Sequence, residues 1–176
     1  SFDLLKKSFC TFVEKTPSFG KSLICIDNNN LKFLLTKLKT RNFLTYGFSK
    51  NSNYQIVNVK KKINHSIFDL RIKLIHNKIY KIKNIKVNLI GNHNISNATA
   101  SIAVALNLGI QIKKIKKALK KFSGIQRRFT KVFSLGKKEF YDDYAHHPTE
   151  IRSVISSVKE VYKNRKIIIV FQPHRY

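Results

Sequence analysis

Gly91-Asn92-His93-Asn94-Ile95-Ser96-Asn97 places three amide side chains and an imidazole directly before an Ala-rich helical pattern. That pattern runs from Asn97 to Leu108 and stops at Gly109, a residue that commonly ends helices. Free backbone N–H groups and the positive end of the helix dipole lie at such a turn. We therefore expect a nucleotide-binding turn, in which Asn94 and Asn97 face an adenine edge or phosphate-bound water. A plain polar helix cap is the alternative.

The sequence before this turn alternates between helical and strand patterns. Apolar spacing predicts helices at Phe2–Lys15 and Leu31–Leu38, separated by a short strand at Ser22–Ile26. Strand, turn and helix in that order begin an α/β unit. The pattern then predicts four further strands, the last three as a meander, at Asn42–Tyr46, Tyr54–Val59, Ser66–Ile75 and Tyr80–Leu89.

After the Ala-rich helix, the pattern changes near residues 124–128, which we take as a domain boundary. A lysine-faced helix at Ile112–Phe122 precedes it and pairs with the Ala-rich helix. A helix starting at Pro148 and a buried strand of the parallel-sheet type at Ile167–Phe171 follow it. We predict an α/β fold with domains at residues 1–125 and 126–176.

Composition and charge limit the classes of protein that fit this chain. Among its 176 residues, 35 are Lys or Arg and 9 are Asp or Glu, a formal net charge of +26, and 43% are hydrophobic. That apolar content supports a core and excludes a disordered basic tail. Lysines alternate with Ile and Asn throughout, which favours a solvated lysine surface over an RNA-binding or membrane-surface patch.

Cysteine usage and the chain ends suggest a cytoplasmic fragment. Cys10 and Cys25 form no C-x-x-C pair, and no signal segment opens the chain. No apolar run approaches the roughly 18 residues that a membrane helix needs. The sequence opens at Ser1, contains no Met and stops after an apolar run, so we expect part of a longer protein.

Two loops after the boundary concentrate side chains that can do chemistry. Arg127-Arg128-Phe129 could clamp a transferring phosphoryl group at a hinge, or could be an ordinary surface pair. Residues 142–150 read Asp-Asp-Tyr-Ala-His-His-Pro-Thr-Glu and place two carboxylates, a phenol and two imidazoles between a strand and a helix. An ordinary structural loop seldom concentrates so many titratable groups, which indicates a functional site.

The last five residues, Gln172-Pro173-His174-Arg175-Tyr176, follow the predicted strand at Ile167–Phe171. If that strand lies parallel to the one ending at Tyr141, His146, His174 and Arg175 would converge at one sheet edge. Two imidazoles and a guanidinium would suit a carboxylate ligand. A structural zinc site is the less favoured use, because the sequence offers no thiol pair.

Together, residues 91–97, 124–129, 142–150 and 171–176 resemble the Mur ligases, ATP-dependent amide ligases of peptidoglycan synthesis. The pattern G-x-H-N-x-x-N-x-x-A is general to that family. D-D-Y-x-H-H-P-T-E and F-Q-P-H-R-Y resemble more closely the members that add L-alanine to UDP-N-acetylmuramate through an acyl phosphate. The resemblance is strongest from Gly91 onward and weaker in the lysine-rich region before it.

The resemblance implies roles for particular residues. Asn94 and Asn97 would contact the adenine with help from His93, Asp143 would hold the ribose side, and Arg128 would reach the phosphates. Arg128 and His146 are the expected catalytic residues. The L-alanine and acyl-transfer pocket would be formed by Tyr144, His146, His174 and Arg175.

The resemblance also implies parts that this sequence lacks. Gly20-Lys21-Ser22 ends like a phosphate-binding loop, but the motif requires glycine where Lys15 stands, so we interpret it as a turn. The family's phosphate loop, its Mg²⁺ ligands and its UDP-sugar domain would lie upstream, and the chain alone is expected to be inactive. The alternatives are a basic α/β module that binds RNA and the related ligase that recycles cell-wall tripeptide.

Overall fold

The computed structural model describes residues 1–40, 42–73 and 78–173, and it confirms the α/β prediction. Five strands form one sheet in sequence order. The first three strands are parallel neighbours, and the last three form an antiparallel meander. The strands are β1 (Ser22–Cys25), β2 (Phe43–Gly47), β3 (Tyr54–Lys61), β4 (Ser66–Lys73) and β5 (Ile79–Val87).

Four helices accompany this sheet: α1 (Phe2–Glu14), α2 (Asn29–Leu35), α3 (Asn92–Asn107) and α4 (Ile112–Lys121). The core lies where α3 and α4 pack on the meander, and its fully buried members include Phe68, Ile85 and Ile102. Truncating such a residue to Ala costs about 2–5 kcal/mol, because a cavity remains. This packing fixes the orientation of α3 relative to the sheet.

The start of α3 differs from the sequence prediction. We expected residues 91–97 to form a turn before the helix, but the helix begins at Asn92 with Gly91 as its N-cap, at φ 92°. The side-chain amide of Asn94 donates to the carbonyl oxygen of Ile90 at 2.8 Å, which supports the first turn. Burial of Ile95 against the core also favours helix over the turn preference of the Asn residues.

The remaining described residues begin with a separate hairpin, formed by β6 (Thr130–Leu135) and β7 (Lys138–Asp142). Stacked rings tie its strands together, at a centroid distance of 4.1 Å between Phe133 and Phe140. Helix α5 (Pro148–Val161) follows, with Pro148 in its first turn as predicted. None of the helices in residues 1–40, 42–73 and 78–173 has the length and apolar character required to cross a bilayer.

The predicted strand at Ile167–Phe171 is wrong for this structure. These residues form no strand, and Val170 is 94% exposed. A strand needs a neighbour for its hydrogen bonds, and within the described residues the second sheet contains only β6 and β7, so no strand pairs with this run. The other strand predictions hold to within a few residues, although Ile75, the expected end of β4, lies outside the described residues.

Candidate functional site

The first turns of α3 carry a polar arc, which we define as His93, Asn94 and Asn97. At 100° per residue these three side chains span about a quarter of the helix circumference. The buried side chains of Ile95 and Ile102 lie on the opposite face. His93 and Asn94 are half-buried and Asn97 is exposed, so the arc faces away from the core. Its position beside the helix N-terminus suits a polar or anionic ligand.

Two segments come together around the carboxylate of Asp143. Its Oδ2 accepts a hydrogen bond from the backbone N–H of Phe129 at 2.7 Å, and its Oδ1 accepts one from Ala145 at 2.8 Å. The backbone N–H of Tyr144 donates to the carbonyl oxygen of Arg127 at 2.8 Å. The backbone at Arg127 and Phe129 adopts positive φ angles of 59° and 52°. Asp143 therefore fixes the Arg128 segment against the loop after β7.

Electrostatics connect this pair of segments to the polar arc of α3. Burial lowers the pKa of His93, the carboxylate of Asp143 opposes that change, and Arg128 lowers the pKa further. The imidazole Nδ1 of His93 is buried and has no hydrogen-bond partner among the described residues. Three residues that the sequence analysis selected from separate motifs, His93, Arg128 and Asp143, therefore interact electrostatically.

Tyr144 and His146 form a small aromatic group next to the Asp143 junction. Their rings meet edge to face with centroids 5.4 Å apart, and the guanidinium of Arg127 lies 4.8 Å from the centre of the Tyr144 ring. The Nδ1 atom of His146 lies 3.2 Å from the carbonyl oxygen of Tyr144 and 3.7 Å from Glu150 Oε2. The expected pocket partners His174 and Arg175 lie outside the described residues.

Part of the titratable loop has a capping role. The side chain of His147 accepts a hydrogen bond from the backbone N–H of Thr149, and Glu150 accepts bonds from the N–H groups of His146 and His147. These backbone donors lower the pKa of Glu150, with smaller contributions from His146 and Arg128. In the sequence, Pro148 at the first helical position marks the start of this helix, whereas His147 is not among the usual N-cap residues of a capping box.

Helix α5 contacts α3 and β3 through two of its own residues, Ser157 and Glu160, which were not predicted from the sequence. Ser157 packs against Gly91, the N-cap of α3. One turn later, both carboxylate oxygens of Glu160 accept from Lys61 Nζ of β3, at 2.8 and 2.7 Å. A long-range ion pair and a glycine contact of this kind have no sequence signature.

A cleft of about 930 Å³ lies between β3 and the end of α5. Its walls include Lys61, Asn92, Glu160 and Tyr162, but not the polar arc or Asp143. The chemistry-bearing groups therefore lie outside this cavity. Within residues 1–40, 42–73 and 78–173, no group of three His, Cys, Asp or Glu side chains is placed to hold a metal ion.

Comparison with known proteins gives two family matches along the chain. Residues 1–105 match the Mur ligase middle domain, and residues 127–175 match the glutamate ligase domain of Mur ligases. Over 97% of its own length, the chain is 53% identical to UDP-N-acetylmuramate–L-alanine ligase of Pelagibacter ubique. It is 40% identical to the same-named ligase of Agrobacterium fabrum over its whole length. In both cases it spans 37% of the relative.

Solved structures agree with these matches. UDP-N-acetylmuramate-alanine ligase MurC from Thermotoga maritima aligns with a TM-score of 0.66 at 29% identity, over 84% of this chain and 37% of that one. MurF from Acinetobacter baumannii aligns with a TM-score of 0.73 over 90% of this chain and 33% of that one, and at 19% identity it shows the fold alone. The chain belongs to the Mur ligase family.

Proposed function

We propose that this chain is part of an enzyme that joins L-alanine to the lactyl carboxylate of UDP-N-acetylmuramate. Residues 1–125 would complete the ATP-binding middle domain, and residues 126–176 would begin the C-terminal domain. The names of relatives that are 53% and 40% identical over nearly the whole chain support this proposal. Because the chain spans 37% of those relatives, the complete activity would need regions outside it.

The proposed reaction has two steps. ATP first phosphorylates the lactyl carboxylate and leaves as ADP, which gives an acyl phosphate. The amine of L-alanine then attacks the acyl carbon, so that an amide forms and phosphate leaves. Both steps develop negative charge on phosphate oxygens, which positioned cationic groups stabilise. The setting is peptidoglycan synthesis, and the use of ATP is consistent with the cytoplasm.

The junction around Asp143 supplies the nucleotide half of this site in our proposal. Asn97 and Asn94 contact the adenine with the help of His93, and Arg128 pairs with phosphate oxygens. Each carboxylate oxygen of Asp143 holds one backbone N–H but has further lone pairs for a ribose hydroxyl. The observation that carries this half of the proposal is the junction itself, in which the Asp143 carboxylate joins the Arg128 segment to the loop after β7.

The acceptor half would be formed by Tyr144 and His146, together with His174 and Arg175. The ring contact between Tyr144 and His146 gives this half a defined wall beside the junction. A guanidinium pairs bidentately with carboxylates, so Arg175 suits the carboxylate of L-alanine. The Mg²⁺ that accompanies ATP would be held by residues outside this chain.

Replacement of Arg128 tests the proposal in a full-length ligase that contains this segment. Arg128→Ala should lower kcat by about 10²–10³-fold, the loss typical of removing one preorganised group from a developing charge. Arg152→Ala is the matched control, because Arg152 is an exposed arginine on α5. Equal activities of the two variants would refute the phosphate role of Arg128.

Substrate choice separates the alanine-adding enzyme from its tripeptide-recycling relative. The wild-type ligase should release ADP when UDP-N-acetylmuramate is supplied together with ATP and L-alanine. Turnover with the cell-wall tripeptide in place of L-alanine would favour the relative. The 176-residue chain alone should release no ADP with either acceptor, and substrate-dependent release from it would contradict the proposal that the complete activity needs regions outside it.

A further inference from the structure

Gly91 and Ser157 meet where α5 packs on the start of α3. Gly91 is buried, and a Cβ atom at this position would collide with Ser157 Oγ and lie 2.8 Å from Cε1 of the His93 ring. The backbone of α3 therefore touches α5 with no space for a side chain between them. The φ of 92° at Gly91 adds a second reason for glycine here.

The Ser157 side chain is suited to this close approach. It is the buried residue of α5, with 6% exposure, and its hydroxyl donates back to the carbonyl oxygen of Ser153 at 2.7 Å. Glu160 lies three residues further on the same helix face and binds Lys61 of β3. One face of α5 thus makes two contacts with the five-stranded sheet and its helices, through Ser157 to Gly91 of α3 and through Glu160 to Lys61 of β3.

Helix α5 is in turn attached to the segments that carry Arg128 and Asp143. Its capping box at His147 and Glu150 joins it to the loop after β7. At its other end, the hydroxyl oxygens of Tyr162 and Tyr141 lie 2.9 Å apart, which ties α5 to the hairpin. A change in where α5 rests on α3 would therefore move Arg128 and Asp143 relative to the polar arc.

We propose that Ser157 is a positioning residue. Its small side chain lets α5 rest directly on Gly91, and this contact holds Arg128 and Asp143 beside the polar arc of α3. A side chain larger than serine at position 157 forces the two parts of the nucleotide site apart, whereas alanine still fits. The consequence for nucleotide binding rests on the proposed function, but the contact itself does not.

The first test measures the contact by cross-linking in the full-length ligase that contains this chain. A water-soluble carbodiimide activates the Glu160 carboxylate, Lys61 Nζ attacks it, and an amide forms as the reagent leaves as its urea. The two groups lie 2.7 Å apart, so the cross-link reports that α5 is docked. The pair Lys131 and Glu139, also 2.7 Å apart but within the hairpin, is the internal reference. Mass spectrometry quantifies both products.

Three variants give a matched set. Ser157→Val should lower the Lys61–Glu160 cross-link by about tenfold, as expected for overpacking a closed contact, and should leave the reference cross-link unchanged. Ser156→Val makes the same substitution at the exposed neighbour on the same helix and should behave as wild type. Ser157→Ala should retain the cross-link. Equal cross-linking in Ser157→Val and wild type would overturn the proposal.

A milder variant covers the case in which Ser157→Val unfolds and loses both cross-links. Ser157→Thr adds a single methyl group, and the proposal requires a selective, partial loss of the Lys61–Glu160 product. An unchanged ratio of the two products in this variant would overturn it.

The second test uses the same full-length ligase. Ser157→Val should raise the KM for ATP by about tenfold, because the groups that bind ATP are misplaced. Ser157→Ala should keep the wild-type KM for ATP. A lost cross-link with an unchanged KM for ATP would overturn the positioning role. A KM for ATP that does not depend on Asn97 in the wild-type background would instead contradict the proposed function and leave the contact established by the cross-link.

Discussion

The carboxylate of Asp143 and the backbone N–H of Phe129 lie 2.7 Å apart, across 14 residues of sequence. A second N–H, from Ala145, donates to the other oxygen of the same carboxylate. The neighbouring Asp142, by contrast, makes a long ion pair of 3.6 Å with Arg127, and both partners are exposed. Two adjacent aspartates thus differ in how strongly they hold the junction.

The first prediction concerns this difference. Asp143→Asn should speed hydrogen exchange at one of the two amides, that of Phe129 or that of Ala145, by about tenfold or more, because a hydrogen bond to a charged group contributes roughly 1.5–3 kcal/mol. An asparagine keeps one acceptor oxygen and therefore satisfies one of the two donors. Asp142→Asn is the control and should leave both amides protected. Equal protection in the two variants would show that Asp143 does not tie the segments together.

The second prediction concerns the exposed end of the polar arc. In the full-length ligase, Asn97→Ala should raise the KM for ATP by about 5–10-fold, since one net hydrogen bond contributes about 1 kcal/mol. Asn97 is exposed, so the free energy of unfolding should change little. Asn92→Ala, at another exposed Asn of the same helix, is the control.

Asn94→Ala is a less clean test, because Asn94 also supports the first turn of α3 through Ile90. An unchanged affinity for ATP in Asn94→Ala and Asn97→Ala, together with steeply salt-dependent binding of unrelated RNA, would favour the RNA-binding alternative.

The third prediction concerns pH. Burial and Arg128 hold the pKa of His93 below its ordinary value of about 6.5, and Asp143 opposes them in part. Because the pKa of His93 is lower in the folded state, the unfolded chain binds more protons at this residue. The contribution of neutral His93 to the free energy of unfolding is therefore fully present above about pH 6.5 and is lost as the pH falls through the folded-state pKa. His93→Gln should remove that dependence, with a slope difference of at most about 1.4 kcal/mol per pH unit.

Urea unfolding of both proteins between about pH 5 and 8 measures this difference, and the other titratable groups are common to the two. Parallel curves would mean that His93 is not held in its neutral form.

The fourth prediction concerns the acceptor pocket. His174→Ala in the full-length ligase should raise the KM for L-alanine far more than the KM for ATP, because the proposed contact involves the amino acid and not the nucleotide. Steady-state kinetics with each substrate varied in turn gives the two values. Equal increases would remove His174 from the acceptor pocket.

Local pattern was sufficient to predict most of the fold. The three-and-four spacing of apolar residues located α1, α4 and α5, and β-branched alternation located the meander. The start of α3 was misplaced because Asn and His favour turns locally, whereas the burial of Ile95 is a tertiary effect. The strand at Ile167–Phe171 was predicted from hydrophobicity, which cannot tell whether a pairing partner is present.

The site was predictable only in part, for a similar reason. Motif chemistry selected His93, Arg128 and Asp143, whose mutual interaction depends on how two segments pack. The backbone donors that occupy Asp143 leave no trace in a sequence pattern. Gly91 was noted as part of a motif, but its contact with Ser157 depends on the approach of a helix from 66 residues away.

The run Ile167–Phe171, in which all residues but Ile167 are exposed, has a practical consequence for the purification of this chain. Five consecutive apolar residues without a charge are the kind of segment that self-associates into intermolecular β-structure. Lys166 and Pro173 flank the run as gatekeepers, and mutual repulsion from a net charge of +26 keeps separate molecules apart at low ionic strength. Because added salt screens that repulsion, the soluble concentration of the isolated chain should fall as ionic strength rises.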